Sequence, residues 1–227
     1  KKIEVVGIWS HFARADEPGH PFNEVQLENF QNRLIEAEKY GIKPTIIHFS
    51  NSAATLSNSA AHFDVVRLGI VMYGLSPDVN TMGDSRVLGL KPAMTLRARL
   101  QLVKEVPAGS SVGYGGTATT SRATKVGVVT MGYADGVPRN ASAEAGVLAG
   151  NSRAPILGRV SMDQFVVDLG PDSAAKTGDW VYLIGAPIGS SDSGNGYTAD
   201  MWGKACGTIN YEIVTRIAPR VPRIYLN

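Results

Sequence analysis

The sequence predicts an α/β plus β protein: the carboxyl-terminal portion of a (β/α)8 barrel over residues 1–88, followed by a mostly β domain over residues 89–227. Three observations lead there. Residues 1–88 alternate short β-rich runs with a helix-period stretch, whereas later residues break into short apolar runs separated by Gly and Pro turns. The strand, helix, strand, helix, strand order implies right-handed βαβ units, hence parallel strands with their loops at one end. Each such unit takes about 30 residues or more, so the first part holds about three of the eight units of a closed barrel. The chain begins at Lys1 without a Met, and the expectation is that about half a barrel lies on the amino-terminal side.

Ile3 to Trp9 reads as the first strand and ends at Ser10-His11-Phe12. From Asn23 to Tyr40, Leu27, Phe30, Leu34 and Ala37 recur at steps of three and four before Gly41 supplies a stop, which is the pattern of an amphipathic helix. Thr45 to Phe49 is the next strand. Ser50-Asn51-Ser52 opens another helix, where Asn and Ser serve as N-caps or hold an anion. Asp64 to Leu68 reads as a third strand, and Gly69-Ile70 turns the chain into a short apolar element. After the polar stretch from Pro77 to Gly89 the expected strands are Thr95–Val106, Lys125–Gly132, a hairpin over Val147–Ile156, Gln164–Leu169 and Trp180–Ile184, with one helix over Thr198–Cys206.

With 44% hydrophobic residues and a formal charge of +2, the composition is globular and offers no basic field for nucleic acid. No apolar run approaches the roughly 18 residues of a membrane span, and no signal peptide is visible, so a cytoplasmic location is expected. The single Cys206 fits a reducing compartment, and four histidines with one cysteine give no metal-ligand spacing.

Polar groups collect at one expected rim: His11, then His48 with Asn51 and Ser52, then Arg67 with Gly69 and Ile70. Arg67 is a permanent cation inside an apolar run, so it is paired with a carboxylate or carbonyl, or aimed at a ligand. In the second part Tyr114 stands between glycines, either as a spacer on a turn or with its hydroxyl presented, and MGYADG (131–136) and GRVSMDQ (158–164) put polar and bulky residues at strand ends.

Together the stretches WSHFARADEP (9–18), IHFSNSAAT (47–55), VRLGIVMYGLSP (66–77), SVGYGGT (111–117), MGYADG, GRVSMDQ, TINYE (208–212) and RVPRIY (220–225) resemble alanine racemase, the pyridoxal 5'-phosphate enzyme that interconverts L- and D-alanine. The resemblance implies that His11 lies against the cofactor ring, that His48 hydrogen-bonds Arg67, and that Asn51, Ser52, Gly69, Ile70 and Tyr211 surround the phosphate. It implies Tyr114 as one of two catalytic bases, Met162 as a backbone donor to the substrate carboxylate, and Tyr133 and Asp163 at the entrance. It also implies a homodimer in which Tyr114 and Met162 act on the opposite subunit's cofactor, with the D-alanine destined for peptidoglycan. Ser161 stands where the family usually has Cys.

An Arg opposite the pyridine nitrogen can only donate a hydrogen bond, leaving that nitrogen unprotonated and the ring a weaker electron sink. None of the lysines (1, 2, 39, 43, 91, 104, 125, 176, 204) lies in the family's motif for the residue that forms the aldimine. This chain alone is therefore expected to be inactive. Alternatives are a broader-specificity amino-acid racemase and a non-catalytic dimerisation or binding module; a related decarboxylase would carry an acidic group where Arg67 stands.

Overall fold

A computed structural model of the chain describes residues 3–187, 189 and 194–226; Lys1 and Lys2, two of the lysines set outside the aldimine motif above, lie outside them. The chain divides into two compact units, Lys1–Ala93 and Met94–Asn227.

In the first unit β1 (Gly7–Trp9) and β2 (Ile46–His48) pair in parallel, with Trp9 opposite His48. The connection is α1 (Pro21–Lys39). It starts two residues before the sequence pattern suggests because His20 caps it, its Nδ1 accepting from the Phe22 N–H at 3.1 Å, and Pro21 tolerates a first helical position. Gly41, at φ 73°, ends it by giving its N–H to the Glu38 carbonyl. α2 (Ser52–Ser57) follows β2. The core joining these elements is aromatic. Phe49 is 1% exposed, with Phe12 at 4.0 Å and Phe30 at 4.6 Å between ring centroids, while Phe63 meets Phe30 edge-on at 5.5 Å.

The third strand expected over Asp64–Leu68 is not formed. The segment runs beside β2 through the Asp64, Val65 and Arg67 N–H groups, but the Ile47 N–H that a regular ladder would bond to a carbonyl goes to the Asp64 carboxylate at 2.9 Å. A 3-10 turn, Ile70–Tyr73, comes next and closes on Gly74. Gly74 has φ 73°, and a Cβ there would lie 1.8 Å from the Lys91 carbonyl oxygen, so both the turn and the close approach demand glycine.

The second unit is built on six strands in the order β8-β7-β10-β3-β6-β9: β3 (Leu96–Val106), β6 (Thr124–Val129), β7 (Gly146–Ala149), β8 (Ser152–Pro155), β9 (Phe165–Asp168) and β10 (Trp180–Ile184). All neighbouring pairs are antiparallel. A bridge between Ile156 and Val167 and the Leu157 N–H to the Val166 carbonyl join the two edges, so the sheet closes on itself like a barrel. β4 (Ser111–Val112) and β5 (Ala118–Thr119) form a separate small hairpin. α3 (Ala199–Ala205) lies against the sheet, with Trp202 Nε1 donating to the Leu183 carbonyl at 2.7 Å, and α4 (Asn210–Thr215) is a helix that the sequence pattern did not reveal. Among the described residues no helix is long and apolar enough to cross a membrane.

Phe49 has aromatic neighbours in both Phe12 after β1 and Phe30 of α1, so Phe49→Ala leaves a cavity that its surroundings close only in part. A loss of about 3–5 kcal/mol is expected, read as a lower denaturation midpoint of the first unit.

Candidate active site

The core positions the first cluster. Phe12 and Phe49 are anchored inward just past the ends of β1 and β2, and each follows a histidine, so His11 and His48 project from the same ends. Arg67 comes to them along the irregular segment, fixed by its own N–H to the Ser50 carbonyl at 2.9 Å. Its guanidinium makes no ion pair among the described residues. Arg67 Nη2 donates to His11 Nδ1, and Arg67 Cζ lies 5.0 Å from the centroid of the Trp9 ring. His11 must be neutral at Nδ1 to accept this bond, and both burial and the Arg67 charge push its pKa below the usual histidine value.

The expected hydrogen bond from His48 to Arg67 is absent. The His48 ring lies parallel to Trp9, 2° from coplanar and 5.7 Å between centroids, and its buried Nδ1 has no partner among the described residues. The indole takes the face of His48 and also the guanidinium, so the two residues meet through Trp9, a residue for which the sequence suggested no role.

Asn51 caps α2, its Oδ1 accepting from the Ala54 N–H at 3.0 Å, and its Nδ2 stands 3.5 Å from His11 Nε2. The buried Ser52 Oγ accepts from the Gly69 N–H at 2.8 Å, which leaves the hydroxyl proton free to donate elsewhere. A Cβ on Gly69 would meet only Ser52 Oγ, at 3.8 Å, so the space over this turn is open. Ile70 begins the 3-10 turn beside it. His11, Asn51, Ser52, Arg67, Gly69 and Ile70 thus form one continuous set in the first unit. Its polar groups are largely donors with no carboxylate among them, a chemistry suited to an anion and to an unprotonated ring nitrogen. Tyr211 stands on α4, in the second unit.

The second unit holds the remaining residues. Tyr114 lies in the β4–β5 hairpin, flanked by Gly113, Gly115 and Gly116, all at positive φ, and it is 72% exposed. Such an aromatic ring contributes little to a core, so the turn presents its hydroxyl. Tyr133 and Asp163 sit on two turns stitched together: the Tyr133 N–H donates to the Ser161 carbonyl at 3.0 Å and the Ala134 N–H to the Met162 carbonyl at 2.9 Å. The N–H of Met162 donates to nothing among the described residues. Arg220, also unassigned from sequence, ties the turns from outside, donating to Asp135 at 2.7 Å and Asp163 at 2.6 Å. Both arginine contacts follow from the RVPRIY stretch, but only the folded chain shows which carboxylates they reach.

Known proteins resemble the chain over nearly its whole length. The family model described as alanine racemase, C-terminal domain, matches residues 93–225, and the model described as alanine racemase, N-terminal domain, matches residues 1–77. An alanine racemase of Salinispora tropica is 52% identical over 224 residues, covering 98% of this chain and 57% of the relative. The crystal structure of alanine racemase from D-cycloserine-producing Streptomyces lavendulae superposes with a TM-score of 0.91 at 50% identity, covering 99% of this chain and 57% of that one. The alanine racemase of Bartonella henselae, solved with covalently bound pyridoxal phosphate, gives 0.82 at 32% identity, covering 98% and 57%. The chain therefore spans about 57% of the length of such relatives. With both domain models matched in order and the fold shared at this identity, the chain belongs to the alanine racemase family.

Proposed function

We propose that the protein to which this chain belongs is an alanine racemase that uses pyridoxal 5'-phosphate to interconvert L- and D-alanine, in the cytoplasm and in service of peptidoglycan. The observation that carries this reading is Arg67: an exposed cation at the rim, held by a neutral imidazole and an indole face, with no carboxylate paired to it among the described residues. The donor set of the first unit fits the cofactor. Arg67 would donate to its ring nitrogen, and Ser52, with the Gly69-Ile70 turn, Asn51 and Tyr211, would hold its phosphate. His11 would lie against the ring, with His48 behind it. Bound there, pyridoxal phosphate supplies an electron-accepting ring that acidifies the α-proton of alanine.

The chain's own residues then divide the work. The Tyr114 hydroxyl moves a proton on one face of the substrate carbon, and the free Met162 N–H orients the substrate carboxylate. Tyr133 and Asp163 line the approach to the site. Tyr114 and Met162 serve the site of the opposite subunit of a homodimer, which accounts for an exposed tyrosine and an unused amide on one chain. Because Arg67 cannot release its proton, it would leave the ring nitrogen unprotonated and so restrain side reactions such as transamination. A buried Cys206, its thiol pushed up to about 11 by burial, suits a reducing compartment.

The reading is tested on the protein as its gene encodes it, loaded with pyridoxal phosphate and given either enantiomer. D-alanine should form from L-alanine, and a preparation that binds no pyridoxal phosphate would falsify the assignment. Tyr114→Phe should lower solvent-deuterium incorporation by about 10²–10⁴-fold from one enantiomer and far less from the other. Arg67→Glu should keep measurable cofactor binding while raising the share of turnovers that end in transamination; an unchanged share would remove the role given to Arg67. Arg220→Met should raise KM for alanine several-fold with a smaller change in kcat, since it frees the Met162 turn without touching the reacting atoms.

A further inference from the structure

We propose that Trp9 is a positioning residue that sets the plane of the Arg67 guanidinium and couples it to His48, a role that rests on the reading of Arg67 as the partner of the pyridine nitrogen. Trp9 is 60% exposed, so a contribution to the core does not account for it. Its position does. Opposite His48 in the parallel pair β1–β2, it places its indole on the same face of the sheet as the imidazole, and the two rings stack 2° from coplanar. Two residues on, His11 offers Nδ1 to the same guanidinium whose Cζ stands 5.0 Å from the Trp9 centroid.

Arg67 is thus held by one hydrogen bond and one aromatic face. A single hydrogen bond leaves a planar guanidinium free to swing about it, whereas a second contact on its face selects one orientation and directs the remaining N–H groups. His48, with no hydrogen bond from its buried Nδ1, acts on Arg67 only by bracing the indole. Removing the indole loosens Arg67 without removing its charge, so the pyridine nitrogen loses a directed donor and becomes open to protonation.

The test uses the encoded protein, wild type against Trp9→Phe and Trp9→Met. Phe keeps an aromatic face, and Met keeps bulk without one. Two quantities are read: the dissociation constant of pyridoxal phosphate from the apoprotein, by fluorescence titration, and the pyridoxamine phosphate formed per racemisation turnover. Trp9→Met should weaken binding and raise pyridoxamine phosphate per turnover by about tenfold, while Trp9→Phe stays within about threefold of wild type on both. A purely structural indole would lower racemisation and transamination together and leave their ratio alone. Wild-type values in Trp9→Met, or equal rises in the Phe and Met variants, overturn the proposal while the racemase reading stands. Wild-type protein that binds no pyridoxal phosphate overturns both. Should Trp9→Met fail to fold by circular dichroism, Trp9→Leu takes its place on the same two readouts.

Discussion

The aromatic cluster around Phe49 is the constraint on which the first unit depends. Phe12 and Phe49 each sit one residue beyond a histidine; Phe12 packs on Phe49, and Phe49 is sealed into the core by Phe30 of α1. Anchoring these two rings fixes the orientation of His11 and His48, because neighbouring side chains at a strand end point to opposite sides. The site is therefore a consequence of packing: move Phe49 and the imidazoles turn with it. The same cluster sets the path of the segment after α2, since Phe63, at φ 47°, packs edge-on against Phe30 and delivers Asp64 to the amide of Ile47.

Electrostatics then follow from that geometry. A guanidinium beside an imidazole would ordinarily repel it when both are charged, and the ring responds by staying neutral: burial and the Arg67 charge both lower the His11 pKa. A neutral His11 accepts at Nδ1 and leaves Arg67 a donor on its remaining N–H groups. Because the folded pKa is depressed, the unfolded chain binds a proton at His11 more readily. The stability owed to this contact is therefore present above the unfolded value, the ordinary 6.5, and is lost as pH falls from there through the lower folded value.

Much of this was legible in the sequence where local pattern and tertiary outcome agree. α1 announced itself by Leu27, Phe30 and Leu34, and β10 has the ends that its apolar run suggests, because both are decided by periodicity against a core. The misses share a different cause. Asp64–Leu68 has strand composition, yet a carboxylate seventeen positions from Ile47 in sequence takes the amide that a ladder needs. His48 and Arg67 were rightly placed at one rim, but the spacing of residues cannot show that an indole from β1 lies in contact with both. Tyr211 was singled out by its motif while its helix went unseen, six residues being too short for a helical period to emerge from the pattern.

The second unit solves a different problem, which is to hold two irregular turns at a fixed separation. Gly132 makes the approach possible: a Cβ there would lie 2.3 Å from the Met162 carbonyl oxygen and 2.4 Å from that of Ser161, so any other residue would drive the turns apart. Backbone bonds from Tyr133 and Ala134 consume those two carbonyls, and Asp135 in turn accepts from the Gly132 N–H at 2.8 Å. The Met162 N–H makes no hydrogen bond among the described residues. The junction therefore stands on two carbonyls that glycine alone lets so close, and Arg220, donating to Asp135 and Asp163, ties the same two turns from outside.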